Sequence, residues 1–187
     1  SDGGLFNTVE KAVSRAKEMI AHGADIIDVG GESTKPGSDE VSVEEELSRV
    51  VPVVRELVSL GFCVSIDSMK PAVVSKCLEL GVKMVNDVSG LRNPEMVSVV
   101  AKYDVPVVIM HMLGMPKTMQ QEIKYGDVVE EVKDYLFNQA LKAKRGGVHQ
   151  VIVDPGIGFG KTVSQNFQLI KELDKIVSLG YPVLMGV

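Results

Sequence analysis

Residues 62–90 read FCVSIDSMKPAVVSKCLELGVKMVNDVSG, and this stretch decides the fold class. It contains two short, mainly apolar runs, Phe62–Asp67 and Lys83–Val88, separated by a longer amphipathic segment. That segment opens with Pro71, a residue suited to the first position of a helix. A strand, a helix and a second strand in this order predict a parallel βαβ unit.

The same alternation continues along the rest of the chain. The interiors of the short runs are nearly continuous Val, Ile and Met, as expected for parallel strands that helices cover on the outside. The predicted strands are Asp25–Gly30, Phe62–Asp67, Lys83–Val88, Val105–His111, Gln150–Asp154 and Tyr181–Met185.

This repeat predicts an α/β fold, a TIM-like (β/α)8 barrel, in which residues 1–187 form one partial barrel domain with roughly strands 2–7. A closed barrel typically has about 250 residues, whereas the chain has 187. We therefore expect the first strand to precede Ser1, and the seventh helix, eighth strand and eighth helix to follow Val187. The competing architecture is a doubly wound open sheet, which needs a point where the strand order reverses.

Several helices carry recognisable end signals. Thr8–Ala21 is predicted to follow Asn7 as its N-cap, and Ser42 with Glu45 forms the pattern of a capping box. Asp127–Lys144 is the longest predicted helix. Proline inside the second helix, at position 52, predicts a kink or a restart. The last helical stretch is predicted to present one apolar face at a spacing of three, made of Phe167, Ile170, Leu173 and Ile176.

Composition excludes some classes of protein. The chain is 45% hydrophobic, has a formal net charge of -5 and a pI near 5.3. It has neither an apolar run of about 20 residues nor a basic leader, which argues against a membrane or secretory role. The lack of a Lys/Arg stripe argues against a nucleic-acid partner. A disulfide between Cys63 and Cys77 is the alternative to free, buried thiols, and we expect the free thiols of a cytoplasmic protein. An organelle is the alternative location for a eukaryotic source.

Polar residues follow nearly every predicted strand. In a barrel the carboxyl ends of the strands meet at one mouth, where the active site forms. For Asp87 and Ser89, a role as helix caps and a role in binding stay open. His111 also lies at the mouth, but no second His or Cys shares a metal-ligand spacing with it, so a zinc site is not indicated. The strand ends are Asp28–Gly37, Ile66–Ser68, Val85–Gly90, Met110–Met112 and Asp154–Thr162.

The Gly-rich run from Asp154 to Thr162 matches neither common nucleotide motif. A Walker A loop needs glycine where this chain has Pro155, and the third glycine of a dinucleotide fingerprint would fall on Lys161. We interpret the run as flexible backbone that approaches a planar ligand closely, with Phe159 available to pack on a ring.

These segments, in this order along the whole chain, resemble the dihydropteroate synthases. The resemblance implies a transferase of folate biosynthesis that joins 6-hydroxymethyl-7,8-dihydropterin diphosphate to p-aminobenzoate, giving 7,8-dihydropteroate and diphosphate. It also implies a homodimer, dependence on Mg²⁺, and inhibition by sulfonamides that compete with p-aminobenzoate. The segments that carry it are Ser1–Gly4, Asp28–Gly37, Ile66–Ser68, Asn86–Gly90, Met110–Met112 and Asp154–Lys161.

The resemblance also assigns the pterin site. Asp67, Asn86 and Asp154 correspond to the polar residues that bind the pterin, and we expect their side chains to point into a common cavity. A carboxylate such as Asp154 suits the adjacent N–H donors of the pterin's aminopyrimidinone edge. Met110 and Phe159 correspond to the apolar lining. Two further candidates lie at the end of the last predicted strand: Met185, its final residue, and Gly186, which follows it.

The remaining roles fall on two loops that the resemblance implies are mobile. Ser33, Thr34 and Lys35 lie in the loop that binds p-aminobenzoate and diphosphate. Asp2 lies in the other loop. Loss of diphosphate leaves a cation on the pterin, which Asp2 and Asp67 are expected to stabilise as the catalytic residues before the arylamine attacks.

The chain also departs from the family pattern. Lys35 replaces the usual arginine, which keeps the charge but loses the planar fork. The expected metal-binding Asn lies before Ser1 and two basic elements lie after Val187, so we assign no metal ligand here and expect activity of a longer parent chain. The alternatives are a methyltetrahydrofolate-binding methyltransferase, which the loop from Glu32 to Gly37 argues against, and a non-catalytic pterin-binding fragment.

Overall fold

A computed structural model describes residues 8–35 and 37–187. Its sheet has five parallel strands, and neighbouring strands in the sheet are neighbours in the chain. The strands are β1 (Ile27–Gly30), β2 (Val64–Asp67), β3 (Met84–Asp87), β4 (Val107–Met110) and β5 (Val151–Asp154). Each is one or two residues shorter at its ends than the sequence predicts, except where the two ends coincide.

The order of the strands decides between the two predicted architectures. A doubly wound sheet reverses its strand order at a switch point. The five described strands run β1-β2-β3-β4-β5 without a reversal. This is the arrangement of a partial (β/α) barrel, in which every strand pairs with the one before it.

The sixth predicted strand, Tyr181–Met185, is wrong as a full strand. It meets β5 through a single parallel bridge between Val153 and Val183. Two hydrogen bonds form this bridge, from Val153 N to Pro182 O at 2.9 Å and from Leu184 N to Val153 O at 3.0 Å. The chain lies in the place of the next barrel strand, but it pairs there at one position only.

Seven helices occur in the described residues. Five of them connect or precede strands on the outside of the sheet, and the last two follow β5. They are α1 (Val9–Ala21), α2 (Val43–Ser59), α3 (Pro71–Glu79), α4 (Pro94–Tyr103), α5 (Val128–Arg145), α6 (Val163–Lys171) and α7 (Leu173–Val177).

The helix ends mostly follow the sequence signals. Ser42 Oγ accepts from Glu45 N at 3.2 Å at the start of α2. Helix α5 begins at Val128 rather than at the predicted Asp127, because Asp127 is its N-cap and accepts from Val129 N at 3.0 Å. The N-cap of α1 is Thr8 rather than Asn7, which lies outside the described residues. Helix α2 runs through Pro52 without a restart.

The predicted apolar face after Lys161 is wrong. Phe167 is 68% exposed and Ile170 is 41% exposed, whereas Leu169 and Ile176 are fully buried. The helix ends at Lys171, and α7 starts only after Glu172. Because the helical register is interrupted there, a spacing of three does not select one face across both helices.

The main core lies between the sheet and its helices. Val64, Ile66, Val85 and Ile109 on the strands are fully buried in it. Cys77 is also buried and Cys63 is half-buried, and both are free thiols, so only Cys77 matches the prediction fully. None of the helices in the described ranges is long and apolar enough to cross a membrane.

Candidate functional site

The carboxyl edge of the sheet brings together the three residues assigned to the pterin. Asp67 ends β2, Asn86 lies opposite it on β3, and Asp154 ends β5 opposite Met110. Parallel strands place these positions on the same edge, as the sequence predicts. A single cavity shared by all three side chains stays a prediction.

Asp67 is the carboxylate with the least satisfied environment at this edge. Its Oδ1 is buried and has no hydrogen-bond partner among the described residues. Burial raises the pKa of Asp67 well above its usual range, and the negative charges of Asp28, Asp87, Glu46 and Glu32 raise it further. A proton or a cationic partner stabilises a buried carboxylate oxygen that has no hydrogen bond.

Asn86 is oriented by a residue that the sequence did not single out. Its Nδ2 donates to Asp28 Oδ2 at 3.0 Å, a bond that reaches from β3 past β2 to β1. With the amide nitrogen engaged, Asn86 keeps its carbonyl oxygen as an acceptor for a ligand. The sequence offers one signal for a role of Asp28 at the site. Asp28 lies two residues before Gly30, which ends β1 at this edge of the sheet, and alternate residues of a strand share a face.

Asp154 is buried, with an exposed fraction of 6%. Its Oδ1 accepts from Gly156 N at 2.7 Å. Burial raises the pKa of Asp154 to about 6, against the lowering effects of the Gly156 hydrogen bond and the nearby Lys161 charge. The pKa of the Asp154 carboxyl group therefore lies close to neutral pH, a property that is common at functional sites.

Lys161 is a functional candidate that the sequence analysis missed. Lys161 is only 3% exposed. Its Nζ donates to the carbonyls of Gly156 at 2.8 Å, Phe159 at 3.0 Å and His111 at 3.3 Å. Burial lowers the pKa of Lys161 to about 7, while the charge of Asp154 acts in the opposite direction. Its place at the end of a Gly-rich run resembled a nucleotide loop and gave no sign of an inward direction.

Two glycines of the Gly-rich run lie very close to a neighbouring segment of the chain. Gly156 has φ +68°, and a Cβ there would lie 2.0 Å from His111 O. A Cβ on Gly160, at φ +66°, would lie 2.6 Å from Leu113 Cβ. The close approach that requires glycine is thus to the end of β4 and the segment after it.

Apolar side chains line the same edge. Met110 is 3% exposed, and half-buried Phe159 packs against the small cluster that Met110 forms with other residues. Met185 is half-buried and Gly186 exposed, and both follow the bridge beside β5. The members of the cluster are Val88, Met110, Met112 and Met119.

Asp87 and Ser89 shape the end of β3. Asp87 is fully buried, and its Oδ1 accepts from Ser89 N at 2.8 Å and Ser89 Oγ at 2.7 Å. Its Oδ2 accepts from Leu91 N at 3.1 Å. Both oxygens of Asp87 are engaged within the turn, so the structural role is the one the contacts support.

The loop after β1 is exposed at its tip. Ser33 and Lys35 are exposed and Thr34 is half-buried. Ser38 Oγ donates to the carbonyls of Ser33 at 2.5 Å and Lys35 at 2.7 Å. Asp2 and the rest of the segment Ser1–Gly4 lie outside the described residues, as does proline 36.

The contacts of His111 indicate a structural role. Its ring packs edge-on against Tyr135 with a centroid distance of 5.0 Å. Burial lowers the pKa of His111 to about 3, helped by the charges of Lys161 and Arg92. Within the described ranges, no group of three or more His, Cys, Asp or Glu side chains is arranged to hold a metal ion.

Comparison with known proteins gives the family of the chain. The family model described as "Pterin binding enzyme" matches residues 1–187. Dihydropteroate synthases of Synechocystis and Escherichia coli K12 are each 43% identical to the chain over its whole length. The chain spans 66% and 67% of their lengths, and 22% of a probable bifunctional folylpolyglutamate synthase/dihydropteroate synthase of Haloferax volcanii that is 45% identical.

Solved structures give the same result. The Yersinia pestis dihydropteroate synthase with a sulfonamide drug has a TM-score of 0.97 and 37% identity over 100% of this chain and 69% of that one. The Thermus thermophilus dihydropteroate synthase with 4-aminobenzoate has a TM-score of 0.87 and 49% identity over 92% and 66%. The same enzyme with 6HMPPP has a TM-score of 0.84 and 46% identity over 94% and 66%. The chain therefore has part of the barrel fold of these enzymes and belongs to the pterin-binding enzyme family, among the dihydropteroate synthases.

Proposed function

We propose that the complete protein condenses 6-hydroxymethyl-7,8-dihydropterin diphosphate with p-aminobenzoate to give 7,8-dihydropteroate and diphosphate. The observation that carries the proposal is the buried Asp154 carboxylate, which lies at the same sheet edge as Asn86 and Asp67. The resemblance to enzymes whose structures hold 4-aminobenzoate or 6HMPPP supports it.

In this proposal the polar edge of the pterin ring binds Asp154 and Asn86. Asp154 accepts from adjacent ring N–H groups, while its other contact, Gly156 N at 2.7 Å, fixes the direction of the carboxylate. Asn86 presents its carbonyl oxygen because Asp28 holds its amide nitrogen. Met110 and Phe159 supply apolar surface for the ring.

Asp67 stabilises the charge that develops when diphosphate leaves. Burial raises the pKa of Asp67, and the carboxylates around it raise it further, so the free site disfavours the ionised form. A cation forming on the pterin beside it lowers that pKa and favours the ionised form. This stabilisation grows as the reaction proceeds, which is the condition for it to accelerate the chemical step. Asp2 has the same role in the proposal, on the basis of the resemblance.

The loop with Ser33, Thr34 and Lys35 binds p-aminobenzoate and diphosphate in this account, with sulfonamides competing for the p-aminobenzoate position. Lys35 is exposed, so its ammonium can meet an anion without breaking a buried contact. A lysine offers a point charge rather than a planar fork. We expect anion binding through electrostatic attraction more than through fixed geometry.

Three further proposals concern the complete enzyme. We propose that it depends on Mg²⁺. The described residues offer no ligand set for the ion, so no step is assigned to it. Removal of the ion by chelation, followed by its readdition, tests the dependence. We also propose a homodimer, supported by the exposed Val163 and Phe167 of α6 and testable by light scattering. A cytoplasmic location fits the free thiols of Cys63 and Cys77, because disulfides are rare in that compartment.

Turnover by the complete enzyme tests the proposed function. Purified parent protein is mixed with the pterin diphosphate and p-aminobenzoate, and dihydropteroate is measured by chromatography. Formation of dihydropteroate with equal release of diphosphate supports the proposal. Methyl transfer from methyltetrahydrofolate without use of p-aminobenzoate favours the methyltransferase, and pterin binding without turnover favours a non-catalytic barrel.

A further inference from the structure

A buried ion cluster lies at the base of the loop after β1. Lys70 Nζ lies 2.5 Å from Glu32 Oε2 and 2.7 Å from Glu46 Oε2. The three side chains are 14%, 8% and 0% exposed, respectively. Lys70 follows β2, Glu32 follows β1 and Glu46 belongs to α2, so one ammonium group joins three separate elements.

The same cluster closes the loop. Glu32 Oε2, which accepts from Lys70, also accepts from Val41 N at 2.9 Å, nine residues further along the chain. The start of the loop is held as well, because Arg49 Nη1 donates to Gly31 O at 2.9 Å. Both ends of the loop therefore meet at the Glu32 carboxylate and the neighbouring turn of α2.

The tip of the loop has a different character. Its ion pair, between Asp39 Oδ1 and Lys117 Nζ at 2.8 Å, joins side chains that are 86% and 69% exposed. Exposed pairs contribute little to stability, whereas a buried charge that loses its partner is strongly destabilising. The buried contacts therefore hold the base of the loop, whereas the exposed ion pair at Asp39 adds little.

The cluster also lies beside the edge where the pterin is proposed to bind. A small cavity of about 10 Å³ is lined by residues of the ion cluster and by Asp67 of the sheet edge. Glu46 Oε1 is buried and has no hydrogen-bond partner in the described residues, so the cluster is not a fully satisfied structural ion pair. The lining residues are Glu32, Thr34, Glu46, Asp67, Ser68, Met69 and Lys70.

We propose that Lys70 is a positioning residue that holds Glu32 and thereby the base of the loop Ser33–Glu40 in register with Asp67. The inference rests on the proposed function, since it concerns the loop that binds p-aminobenzoate. Lys70 stands three residues after Asp67 in the chain, so the segment that places the catalytic carboxylate also places the loop. Loss of Lys70 is expected to impair p-aminobenzoate use much more than pterin binding.

The experiment uses the complete enzyme with the double variant Lys70→Met/Glu46→Leu. Removing both charges avoids leaving the fully buried Glu46 without its cation. Lys70→Arg is the conservative variant, expected to restore much of the function. Lys76→Met is the matched control, because Lys76 lies on α3 and pairs with Glu79 at a site where both side chains are about half exposed (49% and 50%).

Two readouts are measured on each folded variant. Hydrogen exchange at the Val41 amide in the ligand-free enzyme is expected to be about tenfold faster in the double variant than in wild type, because its acceptor Glu32 is no longer held. The KM for p-aminobenzoate is expected to rise about tenfold while the Kd for the pterin changes less than about twofold. Lys76→Met is expected to match wild type in both.

The outcomes separate the clamp, meaning the hold of Lys70 on Glu32 and the base of the loop, from the role of the loop in p-aminobenzoate use. Unchanged exchange at Val41 overturns the clamp, and so does a double variant that loses affinity for pterin and p-aminobenzoate equally. Faster exchange with an unchanged KM overturns the positioning role while the proposed function stands. A wild-type enzyme that never consumes p-aminobenzoate overturns the proposed function and this role with it, although the exchange result still judges the clamp.

Discussion

Asp154 and Lys161 bind opposite ends of the same residue, Gly156. The carboxylate of Asp154 accepts from Gly156 N at 2.7 Å, and the ammonium of Lys161 donates to Gly156 O at 2.8 Å. His111 forms a second link, since its N donates to Asp154 O at 2.9 Å and its O accepts from Lys161 at 3.3 Å. The proposed pterin carboxylate and a buried cation are thus parts of one hydrogen-bonded unit.

The change Asp154→Asn is expected to weaken pterin binding in the complete enzyme. It places an amide donor where the ring presents N–H groups, and such a buried mismatch costs about 1–3 kcal/mol. Titration calorimetry measures the effect, with Asp134→Asn as the control because Asp134 is an exposed aspartate of α5. Equal pterin affinity in wild type and Asp154→Asn would show that Asp154 does not bind the ring.

Pterin binding is expected to weaken in acid through the range around pH 6. Burial raises the pKa of Asp154 to about 6, so the carboxylate is mostly ionised at pH 7 and mostly protonated at pH 5. A ligand that needs the ionised form then binds about tenfold more weakly at pH 5 than at pH 7. Calorimetry across this range checks the expectation, and Asp154→Asn should lose the dependence. Affinity that is constant from pH 5 to pH 8 in wild type would contradict the assignment.

The raised pKa of Asp154 also sets the direction in which folding stability changes with pH. Because the pKa of Asp154 is higher in the folded state than its ordinary value of 3.8, the native protein binds more protons between about pH 4 and pH 6. The contribution of this group to folding stability therefore falls as the pH rises through that range. Ionised Asp154 costs stability at neutral pH, as is common for groups retained for binding.

Replacing Lys161 tests its coupling to Asp154. Lys161 lowers the pKa of Asp154, although burial is the larger influence on that group. In Lys161→Met the midpoint of the pH dependence of pterin binding should therefore move above its wild-type value near pH 6. Direct titration of the Asp154 carboxyl by NMR measures the shift even if the variant is less stable. The same midpoint in both proteins would reduce Lys161 to a purely structural role in the loop.

The chain's helix caps and strand ends could be predicted because they have local causes. Ser42 caps α2 as predicted, accepting from Glu45 N, and Pro71 opens α3. The strand ends also follow from short apolar runs that stop at polar residues. Neither feature requires knowledge of which residues lie across the sheet.

The features that the sequence did not predict depend on contacts between distant segments. Asn86 and Asp28 are 58 residues apart in the chain, and the hydrogen bond between them follows from the register of β1, β2 and β3. Lys161 is buried because three carbonyls converge on its ammonium, which no linear pattern indicates. The end of α6 at Lys171 likewise occurs without a glycine or a proline.

Lys35→Ala is expected to raise the KM for p-aminobenzoate and to leave binding of the pterin ring nearly intact. An exposed cation that meets an anion contributes about 1 kcal/mol, or about fivefold. Steady-state kinetics of the complete enzyme measure the effect. Lys17→Ala, at an exposed position of α1, is the control. Unaltered kinetics in Lys35→Ala would make the tip of this loop a solvated surface turn.

A crystal structure of the complete enzyme with the pterin diphosphate is the most direct test of the central claim, that the pterin ring binds at the carboxyl edge of the sheet. The account predicts the Asp154 carboxylate and the Asn86 amide at about 2.7–3.2 Å from the polar edge of the ring. It also predicts Phe159 and Met110 against the ring, and Asp67 beside the carbon that loses diphosphate. A ring bound with Asp154 facing away from it, or bound at the amino edge of the sheet, would contradict the account.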